Sequence, residues 1–159
     1  MLDTNIDTLH NIFCIFYYCT VIYLSYSIIL DNLTNMEFII KQYDLIYFYS
    51  TIFFPISGII YIFDKSYIYI IHHLISWIII YYGYIYKNPN NILWICQNLL
   101  VEISSIFLAI DIIVKNINKN YNNMLIKILF FITYTIIIII YLLPININYL
   151  LANSFEDNY

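Results

Sequence analysis

Three ionisable side chains lie inside apolar runs of the sequence, where they could do chemistry. His72 and His73 are adjacent in the run YIYIIHHLISWIII, and Glu102 lies in the following run, LLVEISSIFLAI. An imidazole exchanges protons near neutral pH, so it can act as a general base or hydrogen-bond a polar head group. A carboxylate at the centre of a membrane helix costs roughly 2.5–3.5 kcal/mol on insertion scales. We therefore expect Glu102 to have a partner.

Helical spacing divides the polar residues of the first run between two directions. Tyr69, His72 and Ser76 follow an i, i+3, i+7 pattern, which places them on one face of a helix. His73 points about 100° away from His72. The two histidines are therefore predicted to face different surroundings.

The second run carries a matching polar stripe. Asn98, Glu102 and Ser105 are also three or four residues apart, and the short connection KNPNN makes the two helices antiparallel neighbours. We predict that His72 contacts Glu102 or Ser105, directly or through water. The predicted cavity-lining residues are Tyr69, His72, His73, Ser76, Asn98, Glu102 and Ser105.

A purely structural role for the histidines is the main alternative, because a buried histidine on a helix is usually hydrogen-bonded within the core. A metal site is not predicted, since adjacent ring nitrogens do not easily ligate one ion and no third soft ligand is apparent. A bis-imidazole haem is not predicted either, because His10 is expected at the opposite end of the bundle. No metal and no cofactor are therefore expected.

The amino-acid composition predicts that these residues belong to a membrane protein. Hydrophobic residues make up 63% of the 159-residue chain and charged residues 10%, whereas soluble domains are roughly 45–50% apolar and about 25% charged. The formal charge of −4 comes from scattered groups. No basic patch is present, which excludes a nucleic-acid partner.

Five apolar runs are long enough to cross a bilayer as helices. They cover residues 10–30, 44–63, 66–86, 91–114 and 124–143. Pro144 is expected to kink or end the fifth helix, and the tail after it leaves a sixth span open. Residues 31–43 are predicted to include a short interfacial helix. The expected fold is an all-α polytopic membrane helix bundle, with one domain over residues 1–159.

The lysines give an orientation. In a five-span arrangement one side carries Lys65, Lys115, Lys119 and Lys127, and the other carries Lys41 and Lys87. The excess of positive charge on the cytoplasmic side favours a cytoplasmic N-terminus. Asn32, in the sequon NLT, would then be luminal and open to glycosylation.

At this point the chain resembles the TLC-domain family, which includes the ceramide synthases and non-enzymatic relatives. The resemblance covers residues 64–111 and rests on IHHLISW and LLVEISSIFLAI. The family's paired histidines correspond to His72 and His73. The family motif E-x-S-[ST]-x-F is matched by Glu102, Ser104, Ser105 and Phe107.

Some positions depart from the ceramide-synthase branch. Where that branch has acidic residues just before its Leu-Glu, this chain has Trp94, Ile95 and Asn98. The fifth span also lacks the arginine expected after its Phe-Phe pair. The chain is therefore more similar to the non-synthase members.

The resemblance implies a protein that binds, senses or traffics a membrane lipid, such as a sphingolipid, in a cavity between its helices. It also implies a location in the endoplasmic reticulum or a related endomembrane. The alternative is a ceramide synthase-like N-acyltransferase with acyl-CoA as co-substrate, in which His72, His73 and Glu102 would be catalytic. A second alternative is a non-catalytic membrane assembly protein. The oligomeric state is not predicted.

Overall fold

The computed structural model describes residues 4–31, 33–63, 65, 67–118 and 124–156. For residues 152–156 it describes the backbone only. Every element within these ranges is helical, which confirms the all-α prediction. The elements are α1 Thr4–Asp31, α2 Met36–Phe63, α3 Tyr67–Tyr86, α4 Pro89–Leu99, α5 Glu102–Ile117, α6 Met124–Thr135, a π-helical segment Ile136–Leu142, and α7 Leu143–Glu156.

Four of the helical stretches are long and apolar enough to cross a membrane. They are Thr4–Asp31, Met36–Phe63, Tyr67–Tyr86 and Met124–Leu151. The last of these joins α6, the π segment and α7 into one continuous rod. α4 and α5 together cover the predicted fourth span. The chain is thus an integral membrane protein folded as a helix bundle.

α1 lies at the centre of the bundle and packs against α2, α4 and α5. Its contact with α2 is aromatic: the rings of Tyr17 and Phe53 are stacked with centroids 3.7 Å apart. The Tyr17 hydroxyl also hydrogen-bonds Ser50 across the same interface, at 2.9 Å. Because this side of α1 is packed against α2, another side of the helix faces α3 and α5.

α2 and α3 approach each other closely at Gly83. A Cβ atom at this position would lie 2.3 Å from the Tyr43 hydroxyl and 2.7 Å from Cδ1 of Ile95. The missing side chain allows Tyr43 to donate a hydrogen bond to the Ile80 carbonyl, at 2.9 Å. Small residues commonly permit such close helix approach in membranes.

The predicted interfacial helix within residues 31–43 is wrong, because its apolar residues form the first turns of α2. A polar turn separates α1 from α2. Asp31 accepts a hydrogen bond from the Asn35 backbone at 2.8 Å, and the Asn35 side chain accepts one from the backbone of Phe38 at 3.1 Å. Asn35 therefore caps α2 and starts it at Met36.

The predicted fourth span is broken near its middle. Leu100 and Val101 form a turn with tight i→i−3 hydrogen bonds, to Gln97 at 3.3 Å and to Asn98 at 3.2 Å. The Ser104 hydroxyl donates to the Val101 carbonyl at 2.7 Å. A new helix, α5, then begins at Glu102.

Pro144 does not end the last span. The backbone instead widens into the π segment immediately before the proline and continues as α7 to Glu156. Proline has no N–H to donate, and its ring clashes with the carbonyl four residues back, so a locally wider helix accommodates it. The tail after Pro144 thus extends the fifth span, and as far as Glu156 it forms no sixth one.

Candidate functional site

Two cavities meet at the His72 side chain. The larger has a volume of about 570 Å³ and lies between α3, the α4–α5 break and the last helix. The smaller, about 170 Å³, lies between α1, α2, α3 and α5. We call them the large and the small cavity. Their walls share Tyr69, His72, Ser105 and Leu108.

The polar end of the large cavity is formed by facing helices. The Glu102 carboxyl group interacts with the Ser105 side chain and lies within electrostatic range of His72. His72 is exposed within the bundle structure, so its ring is open to the cavity. A proton-exchanging ring and a carboxyl group therefore lie at one end of an otherwise largely apolar space.

The break between α4 and α5 supplies few free backbone donors to this carboxyl group. Glu102 is the first residue of α5, but the N–H groups of Ile103 and Ser104 already donate to the carbonyls of Leu100 and Val101, at 3.1 and 3.0 Å. α4 ends only two residues earlier, so the negative end of its dipole offsets the positive end of α5. The neighbouring side chains of Ser105 and His72 are therefore the groups that accommodate the carboxyl group.

Six of the seven predicted cavity-lining residues lie on the wall of the large cavity. These are Tyr69, His72, Ser76, Asn98, Glu102 and Ser105. The seventh, His73, lines the small cavity instead. Their placement follows the helical spacing, while the roles of these residues in lipid binding or catalysis stay predictions.

His73 occupies a different environment from its neighbour. Its side chain is only 5% exposed and is packed among three aromatic rings. The ring centroids lie 5.5 Å from Phe53, 5.2 Å from Phe54 and 5.1 Å from Tyr61. The predicted divergence of the two histidines is therefore seen in the structure.

The expected position of His10 is wrong. His10 lines the small cavity together with both other histidines, and its Nε2 lies 3.1 Å from the Ser57 hydroxyl. α1 and α3 run in the same direction through the bundle, so residues near their first turns meet at one end. Within the described ranges, no group of three His, Cys, Asp or Glu residues is placed to hold a metal ion.

One protein-family model matches nearly the whole chain. The family model of the TLC domain matches residues 7–158. The chain belongs to the TLC-domain family. A search among curated proteins and among solved structures found no match. The match extends the resemblance well beyond residues 64–111, although a single domain over residues 1–159 stays a prediction.

This TLC-domain protein also has polar contacts that the sequence reasoning missed, at the other end of the large cavity. Asn146 of α7 accepts hydrogen bonds from Trp94 at 2.6 Å and from Asn98 at 3.2 Å, and it donates back to Asn98 at 3.2 Å. One turn further along α7, Tyr149 donates to Asn91 at 2.6 Å. The i, i+3 spacing of Asn146 and Tyr149 was the available signal.

The large cavity of the TLC-domain protein has partly exposed residues on its wall. α3 packs on α2 and α4, the last helix packs on α5 and α4, and the cavity lies between them. Tyr69 on α3 is 45% exposed and Tyr134 on α6 is 43% exposed, and both line the cavity.

Proposed function

We propose that this TLC-domain protein binds a membrane lipid in the large cavity, and so senses or traffics it. The observation that carries the proposal is a space of about 570 Å³ with a polar end at His72, Glu102 and Ser105. Ligand cavities in proteins are commonly 300–1,000 Å³, mostly apolar, with a few polar groups that fix orientation.

The cavity wall suits the two parts of a lipid. The lipid's polar group would lie between His72 and Glu102, where a donor and an acceptor are both available. Its chain would lie along Phe130, Ile138 and Leu142, which line the opposite wall. Membrane lipids are accordingly the proposed partners, and an endomembrane such as the endoplasmic reticulum is the proposed location.

Mass spectrometry of the gently extracted protein tests the proposal. The wild type is expected to carry a lipid that is reduced at least several-fold in His72→Phe and in Glu102→Gln. Both substitutions keep side-chain size while removing a hydrogen-bonding or ionisable group. Tyr82→Phe is the control, because Tyr82 is 49% exposed on the same helix and does not line the cavity. Equal lipid retention in all four proteins would reject the proposal.

The N-acyltransferase alternative is favoured by one observation, the exposed His72 ring beside Glu102. The imidazole would take a proton from a sphingoid amine as the nitrogen attacks the acyl-CoA thioester, and the CoA thiol would leave. Against it, the described wall of the large cavity includes no lysine to bind the phosphates of CoA. The residues of the cavity wall therefore fit lipid binding better than they fit the binding of acyl-CoA.

An assay for amide formation distinguishes lipid binding from the acyltransferase alternative. Reconstituted protein given sphinganine and acyl-CoA forms an amide under the enzyme alternative, and His72→Ala abolishes that product. Lipid binding predicts no amide in either protein. If a His72→Ala, His73→Ala double variant kept both its lipid and its effect in cells, the non-catalytic assembly role would stand instead.

A further inference from the structure

The last helical rod is attached to the bundle differently in its two halves. α6 packs extensively on α5, whereas α7 packs on α4 at only a few residues. None of the described α7 side chains, which belong to residues 143–151, is buried. In a membrane, apolar helix surface that leaves a protein neighbour is covered by equally apolar lipid, so apolar contacts alone hold a helix weakly. The position of α7 therefore depends mainly on its polar contacts.

Two α7 side chains supply polar contacts to α4. Asn146 is hydrogen-bonded to Trp94 and Asn98. Tyr149 donates to Asn91, and its ring is stacked on Trp94 with the centroids 4.9 Å apart. We call this set of contacts the α4–α7 latch. Asn91 is in the first turn of α4, so this end of the latch lies close to the membrane interface, where water can replace a released hydrogen bond.

The π segment joins the two halves of the rod. Pro144 has no N–H group to donate, and the N–H of Leu143 donates to the Ile138 carbonyl. Sharp kinks in long helices nearly always occur at prolines, π segments or similar interruptions of the hydrogen-bond ladder. π segments inside α-helices are also frequent at functional sites. The rod is therefore expected to bend at this segment.

The π segment and the latch both border the large cavity. The cavity wall includes Ile138 and Leu142 of the π segment, Asn146 of α7, and Trp94 and Asn98 of α4. Movement of α7 away from α4 would therefore remove part of this wall. α3, α4 and α5 also line the cavity, but each of them has buried residues. α7 therefore separates from the bundle with less loss of packing than these helices would.

We propose that α7 is a gate for the large cavity. It bends at the π segment, releases the latch and lets a lipid chain enter from the bilayer between α4 and α7. The proposal rests on the lipid binding proposed above and adds the route by which the lipid enters. The polar end at His72 and Glu102 does not move on this route, because α3 and α5 stay in place.

A crosslink between α4 and α7 tests the gate. Asn91→Cys and Tyr149→Cys are combined in a background without the three native cysteines, and a short bis-maleimide joins the two positions. The protein is extracted with its bound lipid and mixed with liposomes of uniformly deuterated lipids from the same expression host. Mass spectrometry follows the replacement of bound unlabelled lipid by deuterated lipid. The crosslink is expected to slow this exchange at least several-fold and to leave the amount of bound lipid unchanged.

A second crosslink is the control. Asp44→Cys and Lys87→Cys allow α2 to be joined to the end of α3, where Lys87 Nζ and Asp44 Oδ1 lie 3.2 Å apart. Neither residue lines the large cavity, so this crosslink should leave the exchange rate unchanged. Equal slowing by both crosslinks, or slowing by neither, would reject the gate alone. If no form of the protein carried lipid, the lipid-binding proposal would fail and the gate with it.

Loosening the latch should have the opposite effect. Asn146→Leu removes the hydrogen bonds to Trp94 and Asn98. It is expected to speed both uptake and release of lipid about threefold to twentyfold, which corresponds to losing one to three average hydrogen bonds in a membrane. Asn148→Leu, at an exposed position of the same helix, should exchange lipid at the wild-type rate. Faster release with unchanged uptake in Asn146→Leu would show that Asn146 only binds the ligand, and would contradict its role in the gate.

Discussion

At the scale of single residues, Glu102 shows how neighbouring side chains accommodate a polar group inside a membrane. Its carboxyl lies at the start of α5, interacts with Ser105 and is within electrostatic range of His72. A hydroxyl group and an imidazole ring therefore converge on one side chain. This convergence is the reason to place the polar group of a ligand here.

The two glycines provide a prediction about stability at the same scale. Gly83→Ala is expected to destabilise the protein by about 1–3 kcal/mol, because the new methyl group overlaps Tyr43 and Ile95. Gly58→Ala is the matched control and should be neutral or stabilising by up to about 1 kcal/mol, since it raises helix propensity in open space. Thermal unfolding in detergent measures both. A lower melting temperature for Gly58→Ala than for Gly83→Ala would contradict the packing described at α2–α3.

Helical periodicity was sufficient to predict much of the site. It separated His72 from His73, and it placed Ser76 and Asn98 on the two polar faces that line the large cavity. It could not place His10, because periodicity within one helix does not show which helices become neighbours. The alternating directions of the five predicted spans were the signal that brings the first turns of α1 and α3 to one end.

At the scale of helices, two departures from regular α geometry border the large cavity. One is the turn at Leu100–Val101, and the other is the π segment Ile136–Leu142. The sequence carries no glycine or proline at 100–101, so the break had no local signal. Pro144 did signal a distortion, but the structure absorbs it by widening the helix instead of ending it. Irregular backbone inside a membrane is tolerated where it lines a cavity.

The attachment of α7 to α4 gives a prediction at this scale. Asn146→Leu removes the hydrogen bonds to Trp94 and Asn98 and is expected to cost roughly 1–2 kcal/mol, given about 0.6 kcal/mol for an average side-chain hydrogen bond in a membrane. Hydrogen–deuterium exchange of α7 should quicken. Asn148→Leu is the matched control on the exposed face of the same helix. Equal exchange in both variants would show that the contacts do not hold α7.

At the scale of the molecule, composition and hydropathy were enough to predict a helical membrane bundle. Four long apolar helices and the broken α4–α5 pair confirm this architecture. The central place of α1 could not be predicted, because its partners share no sequence pattern with it. That placement depends on shape, as in the stacking of Tyr17 on Phe53.

The orientation predicted from the lysines can be tested with Lys65→Cys and Lys87→Cys in a background without native cysteines. The two positions flank α3, whose 20 residues span about 30 Å. Both have positive φ angles, 58° and 47°, so the backbone cost of substitution is matched. A membrane-impermeant maleimide should label Cys at 65 only from the cytoplasmic side and at 87 only from the other. Labelling of both from one side would be incompatible with α3 crossing the membrane.

Because α1 and α3 run in the same direction, the candidate site lies closer to one face of the membrane than to the other. All three histidines lie near the first turns of these helices, so the polar ends of both cavities are nearer to one leaflet than to the other. A lipid confined to the far leaflet would have to flip before its head group met His72. Under the proposed lipid binding and a cytoplasmic N-terminus, the polar ends of the cavities would meet lipids of the cytoplasmic leaflet, so that lipid asymmetry would matter as well as lipid amount.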